Sequence, residues 1–530
     1  MKRKPASPVF KPYVMNQAAL LPPSYEEMIS EKHLVRVVNT VIEKIDTQSL
    51  IMEYKGGGTS SYHPKMMLKV MIYAYCEKIY SSRKIAKALR ENIQFMWISG
   101  QNTPDFRTIN DFRGSRMKGA IEEIFTEVLE FLIEGGHVKL ENYFLDGTKI
   151  EANANKHKVV WAKRNENYQK RVKEQIKELL KQIEQTNKVE QDEYGDEDLE
   201  EMGGNSQEDI NSERLKQRME ELNKRLKERA QKKKESQSIR KAIKKIEKDC
   251  LPRLEKYEEQ EKILAGRNSY AKNDPDASCM MMKEDRGADR PWPKPAYNIQ
   301  AGTEEQFFVG YSVHNRAGDT ACLIPHLEGV YQNLDRLPQK IVADAAYGSE
   351  ENYAYVEKVG AENYLKYNTF YQDTHHYRKA EILRKHQFRA ENFAYDPEKD
   401  EFICPANQRL HYLYTGQYKS DNGYKSERRH YECNHCQECP LKPQCTKAKG
   451  NRRISISFKL LAFRKKAREN LTSIEGQYLR AQRSVEVETV FGQVKHNMGF
   501  RRFHLRGLEK VKTEWGLVSI AHNMKKLAAK

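Results

Sequence analysis

Two short apolar stretches, far apart in the chain, each end in an aspartate. The apolar residues 143–145 lead into Asp146, and residues 341–343 lead into Asp344. Short apolar runs that stop at a turn residue indicate buried β-strands, and an acid at that point can project from the end of the strand. Because such strands must be covered by other elements, the chain is constrained to a layered fold of strands and helices.

The segments between and around these two runs suggest how the sheet is built. The predicted elements are strands at 143–152, 296–302 and 307–313, a helix at 323–334, a strand at 340–344, a helix at 349–359 and a strand at 363–365. This alternation of hydrophobic periods predicts an α/β fold in which helices flank a mixed sheet.

Residues 14–135 are predicted to form an all-helical N-terminal domain. Two short helices within it, at 83–92 and 105–113, resemble a helix-turn-helix pair. In such a pair Arg107 and Arg113 would lie on the face of the second helix that contacts DNA. A plain helical bundle with solvated arginines explains the same pattern, so both interpretations stay open.

Residues 156–265 differ sharply from the rest, because Lys, Glu, Gln and Arg dominate them. Apolar residues recur there at helical spacing, which predicts a long helical insertion of two or three helices packed as a hairpin or coiled coil. Residues 191–208 are acidic and contain glycine, so a loop or disordered link is expected. The insertion could serve as a dimerisation arm, a DNA-gripping arm or a solvated spacer.

The chain of 530 residues has a net charge of +17 and a pI of about 9.2. Such a basic excess favours a polyanionic partner, most simply nucleic acid, over a protein with no such partner. No apolar run approaches the ~18–20 residues that span a bilayer, and residues 1–13 lack the apolar core of a secretory signal. We therefore expect a cytoplasmic protein that does not contact membranes.

Four of the nine cysteines crowd into one short stretch. They are Cys433, Cys436, Cys439 and Cys445. Paired Cys-x-x-Cys spacing suits a tetrahedral zinc ion with four thiolate ligands, and a small Cys-rich insertion with few hydrophobic residues would benefit from such a staple. We predict structural zinc without a catalytic role. An iron–sulfur cluster and free reduced thiols are the alternatives.

A third acid, Glu488, lies on a predicted helix far downstream of Asp146 and Asp344. Cutting a phosphodiester requires activation of the attacking oxygen and stabilisation of the leaving oxygen, and two divalent ions ~3.5–4 Å apart do both. Mg²⁺ is a hard cation that prefers carboxylate oxygen. The three acids therefore predict a site for two metal ions that cuts nucleic acid.

Basic residues follow Glu488 closely. Lys495 is two helical turns beyond it on the same side, and the run that contains Arg501, Arg502 and Arg506 comes next. We expect these four side chains to contact the DNA backbone, since phosphate contacts come largely from Lys and Arg.

The motifs resemble those of the DDE transposases of bacterial insertion sequences, which share the RNase H-like fold of the retroviral integrase superfamily. Residues 144–152, Phe-Leu-Asp-Gly-Thr-Lys-Ile-Glu-Ala, are similar to the segment with the family's first Asp. Residues 342–348 are similar to the second-Asp segment, and residues 487–492 with Lys495 to the Glu segment. Further similar stretches are 63–69, 501–508 and 521–523.

The resemblance implies an enzyme that hydrolyses DNA at the ends of its element to free a 3′-hydroxyl and then joins that hydroxyl to target DNA. It implies Mg²⁺ or Mn²⁺ as a two-ion cofactor, bound by catalytic Asp146, Asp344 and Glu488. The implied partners are terminal inverted repeats, target DNA and further copies of the chain in a dimer or larger synaptic assembly, near the bacterial nucleoid. Arg483 lies one position off the offset at which many relatives place an arginine.

The predicted layout has one catalytic domain interrupted by two insertions. Its parts are the helical N-terminal domain at 14–135, catalytic segments at 137–155, 266–400 and 451–530, the charged insertion at 156–265 and the Cys-rich insertion at 401–450. Two other functions stay open: a metal-dependent nuclease that does not join strands, and a DNA-binding regulator with an inactive catalytic domain.

Overall fold

A computed structural model describes residues 23–54, 60–194, 211–230, 237–285, 287, 289, 291–374 and 387–530. The strands in this part of the chain, in order, are β1 Asn142–Glu151, β2 Val159–Trp161, β3 Ser269–Ala271, β4 Ser278–Met280, β5 Lys294–Glu304, β6 Phe307–His314, β7 Lys340–Ala343, β8 Glu362–Leu365, β9 Ala394–Asp396, β10 Glu401–Ile403, β11 Arg409–Lys419, β12 Lys425–Cys433 and β13 Arg453–Ile456. They form a six-stranded sheet, a five-stranded sheet and the pair β2–β3.

The six-stranded sheet is mixed and has the order β4-β5-β1-β7-β8, with β6 on β5. β1 pairs antiparallel with β5 and parallel with β7, and β7 pairs parallel with β8. The helices Leu323–Leu334 and Glu350–Lys358 connect β6 to β7 and β7 to β8. A mixed sheet with flanking helices is confirmed, and it is consistent with an RNase H-like fold.

The N-terminal helices do not stand apart from this sheet. One continuous cluster of buried side chains includes residues of the helix Pro64–Cys76, of β1 and of the C-terminal helix Leu508–Ala528. Trp515 is fully buried, and Cys76 Sγ donates to the carbonyl of Ala521 at 3.5 Å. The C-terminal helix therefore joins the helical region to the sheet through a shared core.

The N-terminal region consists of short helices joined by tight connections. They are Leu34–Lys44, Gln48–Met52, Pro64–Cys76, Ser82–Glu91, Ile93–Ile98, Phe106–Gly114, the 3₁₀ turn Arg116–Lys118, and Ile121–Glu134. The helix Ile93–Ile98, which the sequence analysis did not predict, lies between the two members of the expected helix-turn-helix pair. Asn92 starts it by accepting from the backbone N–H groups of Gln94 and Phe95.

The charged insertion is helical in its described parts. Its helices are Ala162–Tyr194, Ser212–Ala230, Gln237–Lys245, the π-helical turn Ile246–Cys250, and Leu251–Leu264. Val172, Ile176, Ile246 and Leu254 belong to a buried cluster of their own, separate from the main core. Of the acidic stretch expected to be a loop, residues 191–194 are helical, and the rest lies outside the described residues.

The five-stranded sheet, in the order β13-β12-β11-β10-β9, is antiparallel throughout. Its longest strands, β11 and β12, form a hairpin whose tip contacts the main body, where Asn422 Nδ2 donates to the carbonyl of Ala321 at 3.4 Å. The sequence analysis predicted a small Cys-rich insertion here and did not predict these strands.

The remaining helical elements surround the two sheets. They are Thr320–Cys322, Ala345–Tyr347, Phe370–Thr374, Ala390–Asn392, Lys442–Cys445, Phe458–Thr472, Ile474–Arg483, Ser484–Glu488, Thr489–Gly492 and Gln493–Asn497. Across the described ranges, none of the helices combines the length and the apolar character that crossing a bilayer demands.

Candidate active site

Asp146 lies in the middle of the sheet, at the position where parallel pairing stops. The pairing of β1 with β7 covers residues 142–145, and Asp146 is the next residue along β1. On its other side Asp146 is opposite Ala301 of β5. The residue is only 8% exposed, and its Oδ1 accepts from the backbone N–H of Gly147 at 2.8 Å. The sheet therefore fixes this carboxylate from both sides.

Asp344 follows directly after β7, the parallel neighbour of β1. Leu145 is opposite Ala343 in the register, so Asp344, directly after β7, lies next to Asp146, where β1 continues beyond the end of β7. Asp344 Oδ1 accepts from the backbone N–H of Ala346 at 2.8 Å and so caps the 3₁₀ turn Ala345–Tyr347. Parallel strand ends bring these two acids together, as their sequence context suggests.

Glu488 is linked to Asp146 through an arginine. It ends the π-helical turn Ser484–Glu488, and its side chain is 59% exposed. Arg483 Nη1 donates to Asp146 Oδ2 at 3.3 Å, and Arg483 Nη2 lies 3.6 Å from Glu488 Oε1. The wide turn places Arg483 and Glu488 on one side despite their unusual spacing. The spacing alone left the role of Arg483 unassigned.

The carboxylates of Asp146 and Asp344 lie close enough to repel each other. Burial raises the pKa of Asp146, and the nearby carboxylate of Asp344 raises it further, while the guanidinium of Arg483 opposes both effects. A cation that approaches such a buried carboxylate beside a second acid stabilises its ionised form. Arg483 supplies part of that positive charge.

Two other acids near the C-terminus belong to the scaffold. Glu486 is 9% exposed, and its Oε2 accepts from the backbone N–H of Gln306 at 2.6 Å. Glu514 is fully buried and accepts from the backbone N–H groups of His504 and Leu505, each at 2.9 Å. Both carboxylates satisfy backbone donors, whereas Glu488 is linked through Arg483 to Asp146.

The half-buried Asp319, which the sequence analysis did not identify, lies against the part of β5 that pairs with β1 beside Asp146. Asp319 Oδ1 accepts from Asn298 Nδ2 at 2.7 Å and from Gln300 Nε2 at 3.0 Å. Tyr347 donates through its hydroxyl to Gln300 Oε1. A Cβ on Gly147 would lie 2.5 Å from Asp319 Oδ1, so this glycine allows the close approach. The signal in the sequence was weak, because Asp319 lies in a loop far from both aspartate motifs.

The four basic residues after Glu488 differ in their exposure. Lys495 is only 12% exposed, is paired with Glu284 at 3.2 Å, and has its pKa lowered by burial, so its contact with DNA stays a prediction. Arg501, Arg502 and Arg506 are exposed. Packing between the helix and the segment around Glu284 accounts for the burial of Lys495.

Two of the exposed arginines are fixed to the far end of β1. Arg502 Nη2 donates to the carbonyl of Ala154 at 3.2 Å, and Arg506 Nε donates to the carbonyl of Asn153 at 2.8 Å. Asp276 Oδ2 accepts from the backbone N–H of Leu508 at 2.8 Å, which anchors the start of the C-terminal helix. The basic run is therefore held beside the strand that carries Asp146.

The two arginines expected to contact DNA from the N-terminal region have opposite surroundings. Arg113 is 3% exposed, and its Nη1 donates to the hydroxyl of Tyr75 at 3.1 Å and to the carbonyl of Tyr80 at 2.6 Å. The prediction that Arg113 contacts DNA is wrong, because the side chain points into the core. Arg107 is exposed.

Arg107 lines an open cleft of about 450 Å³ between the N-terminal helices and the C-terminal segment. The residues around it are Ser81, Ser82, Arg83, Phe106, Arg107, Asn110, Asp111, Gly114, Ser115, Leu505 and Lys510. Arg83 and Lys510 are exposed, so three cationic side chains border the cleft against one acid. The sequence analysis did not predict that the two ends of the chain would meet here.

The cysteines of the second sheet gather around one small cavity of about 20 Å³. Its lining includes five cysteines: Cys404, Cys433, Cys436, Cys439 and Cys445. All are free thiols, and the structure adds Cys404 to the four that the spacing singled out. Within the described ranges, no three or more His, Cys, Asp or Glu side chains already have an arrangement that could hold a metal ion.

Comparison with known proteins gives two matches to families of transposase domains. Residues 403–528 match a family model described as a transposase DDE domain, and residues 23–115 match one described as a transposase domain. The first match includes Glu488 and the basic run, and the second includes Arg107. No curated protein and no solved structure matched the chain.

Proposed function

We propose that the chain is a DDE transposase of an insertion sequence that cuts DNA at the ends of its element and joins the freed ends to target DNA. One observation carries the proposal: acids from distant segments are linked beside one sheet. Asp146 of β1 lies next to Asp344, which directly follows the parallel neighbour β7, and Arg483 is paired with both Asp146 and Glu488.

The donor set fits divalent ions of the hard kind. Carboxylate oxygens are the ligands that Mg²⁺ and Mn²⁺ prefer, and burial, together with the neighbouring carboxylate of Asp344, raises the pKa of Asp146. Asp146, Asp344 and Glu488 would hold the ions. When bound, the ions supply Lewis-acid activation of the attacking oxygen and stabilisation of the leaving oxygen.

The residues of the chain have distinct parts in this proposal. Asp146 supplies a rigid, buried ligand, and exposed Glu488 supplies a movable one. Arg483 balances their charge before metal arrives and is the group that must yield when the ions bind. Asp319, with Asn298 and Gln300, fixes the strand end on which Asp146 lies.

The proposed reaction has two phosphoryl-transfer steps. In the first, the oxygen of water bonds to phosphorus and the bond from phosphorus to the 3′-oxygen breaks, which leaves a 3′-hydroxyl on the element. In the second, that hydroxyl bonds to a phosphorus of target DNA, and a target 3′-oxygen leaves. Holding two ends at once would require at least two copies of the chain.

We propose that duplex DNA crosses the cleft beside Arg107 and the surface of Arg501, Arg502 and Arg506. Phosphate neutralisation by Lys and Arg supplies most sequence-independent affinity, and each contact adds to the salt dependence of binding. Arg107→Ala is expected to weaken binding several-fold and to reduce the salt slope by about one. The buried Arg113 serves as a contrast: Arg113→Ala should lower the melting temperature instead. Fluorescence anisotropy across a salt series separates the two effects.

The test of the proposed function uses DNA that carries the sequences flanking this gene. The full chain is incubated with Mg²⁺ or Mn²⁺, and the 3′-ends and joined products are mapped. End-specific cuts followed by joining support the transposase. Cuts without joining would favour the nuclease, and specific binding without cutting under either metal would favour the regulator.

A further inference from the structure

A second group of possible metal ligands is formed by the cysteine sulfur atoms around the small cavity beside the five-stranded sheet. Cys404 follows β10, and Cys433 ends β12. Both strands pair with β11, where Leu410 is opposite Phe402 of β10 and Cys433 of β12. The sheet therefore places Cys404 and Cys433 at the same end, two strands apart, although the chain separates them by a long hairpin.

The loop after β12 brings the other thiols to this sheet end. Cys436 is buried, and its Sγ accepts from the backbone N–H of Arg452 at 3.3 Å. The backbone N–H of Cys433 in turn donates to the carbonyl of Arg452 at 3.0 Å. Cys445 ends the short helix Lys442–Cys445 and also lines the cavity.

We propose that this sheet end is a structural zinc site in which Cys404 is a ligand, together with Cys433, Cys436 and Cys445. Zinc takes four thiolates in tetrahedral geometry in closed structural sites. The sulfur atoms do not yet stand in that arrangement, and rotation about the Cα–Cβ bond of each cysteine is the movement that would direct them to one ion.

Cys439 also lines the cavity, so the sequence and the fold favour different fourth ligands. Spacing along the chain favours Cys439, because it completes a Cys-x-x-Cys pair with Cys436. The fold favours Cys404, because the pairing of three strands fixes its distance from Cys433.

The surroundings show why a metal would be useful here. Zinc would add its binding energy to folding. The hydrophobic cluster of this sheet is small: Phe393, Phe402, Leu410, Tyr431, Cys433, Cys436, Ile454 and Ile456.

The decisive experiment measures the metal content of the purified full chain and of single Cys→Ser variants. The proposal expects one zinc ion per chain in the wild type and in Cys439→Ser, and less than a fifth of that in Cys404→Ser. Cys279→Ser, at a half-buried thiol in β4, is the matched control and should keep its zinc. Zinc kept by Cys404→Ser and lost by Cys439→Ser would overturn the assignment of Cys404.

A second measurement on the wild type avoids the risk that a variant fails to fold. Native protein is alkylated, digested and mapped by mass spectrometry, with and without a chelator. Cys439 should react readily, while the four ligands become reactive only after zinc is removed. Iron with visible absorption, or five equally reactive thiols in metal-free protein, would overturn the proposal. Neither result would bear on DNA cutting, since the site is independent of the three acids.

Discussion

Two regions bring similar residues together from distant segments: the carboxylate edge, with Asp146, Asp344 and Glu488, and the cysteine-lined end of the five-stranded sheet. The hydrophobic cores that support these two regions differ in size. Asp146 lies in a central strand of the six-stranded sheet, whose core extends into the N-terminal and C-terminal helices. The cysteines lie at the end of a five-stranded sheet with a small core of its own. We therefore expect the clustered residues to serve catalysis in the first region and stability in the second.

At the carboxylate edge, a large core forces negative charges together against their repulsion. Arg483 offsets only part of the cost, and the pKa of Asp146 stays raised. Residues that a fold holds in an unfavourable electrostatic state are candidates for chemistry. At the cysteine-lined end, the clustered residues could supply stability that the small core lacks. The comparison predicts that changes in the first region affect rate and that changes in the second affect folding.

The largest effect is expected from neutralising the acids. Asp146→Asn, Asp344→Asn and Glu488→Gln should each lower the cleavage rate on the order of a thousandfold, because each removes several kcal/mol of metal-based stabilisation. Melting temperatures should change little, since the amides keep the shape of the acids. The control Glu486→Gln alters a scaffold carboxylate and should cleave at the wild-type rate. A cleavage defect in the control equal to that of Glu488→Gln would remove the distinction between the two glutamates.

The reverse pattern is expected at the cysteine-lined end. Cys436→Ser should lower the free energy of unfolding by roughly 2–5 kcal/mol, the range typical of losing a structural cross-link or a well-packed buried group. Cleavage per folded molecule should fall less than tenfold. Thermal unfolding with matched cleavage assays checks both expectations. A thousandfold loss of cleavage in fully folded Cys436→Ser would contradict the proposed division between the regions.

A smaller effect on the carboxylate edge is expected from Gly147→Ala. Its Cβ would meet Asp319 and Gln300 at about 2.5 Å, and such overpacking costs roughly 1–3 kcal/mol. The displaced strand end should also slow cleavage about tenfold. Gly329→Ala is the matched control, because no atom lies within 4 Å of its Cβ and a helical alanine stabilises by ~0.5–1 kcal/mol. Denaturant unfolding and cleavage rates are measured for both.

The smallest effect concerns Arg483. Metal binding needs ionised Asp146, so at limiting Mg²⁺ cleavage should be lost as the pH falls through the raised pKa of this carboxyl. Arg483→Ala removes a charge that lowers that pKa, so the acid limb of the pH–rate profile should move to higher pH. Arg483→Lys keeps the charge and should keep the acid limb near its wild-type position. An acid limb that is the same in all three proteins would show that Arg483 does not act on Asp146.

The mixed sheet could be predicted from the sequence because the signals of its strands are local. The apolar run before Asp344 marks a strand end, whereas β1 continues past Asp146 to Glu151, so the acid after that run does not end its strand. The hairpin β11–β12 was missed although Asn422-Gly423 between two strand-like runs is a hairpin signal. The many charged residues of that stretch obscure the alternation of polar and apolar residues that would indicate strands.

Contacts between distant segments could not be predicted in this way. Arg107 and Arg113 have the same charge and lie in one short helix, yet only packing against Tyr75 and Tyr80 decides that Arg113 is buried. Cys404 lies far from the other cysteines in sequence, and strand pairing alone brings it to them. Arg483 contacts both Asp146 and Glu488 because the helix widens into the π-helical turn Ser484–Glu488. The sequence of that turn does not predict the widening.

The most direct test of the central claim is a change of metal preference at Asp344. Asp344→Cys replaces a hard oxygen ligand with a soft sulfur, which Mg²⁺ binds poorly and Mn²⁺ or Cd²⁺ binds better. If Asp344 holds a catalytic ion, the variant should not cleave element ends in Mg²⁺ and should recover cleavage in Mn²⁺ or Cd²⁺, while Asp344→Ala recovers in neither. Equal activity of Asp344→Cys in all three metals, or recovery of Asp344→Ala to the same extent, would contradict the account.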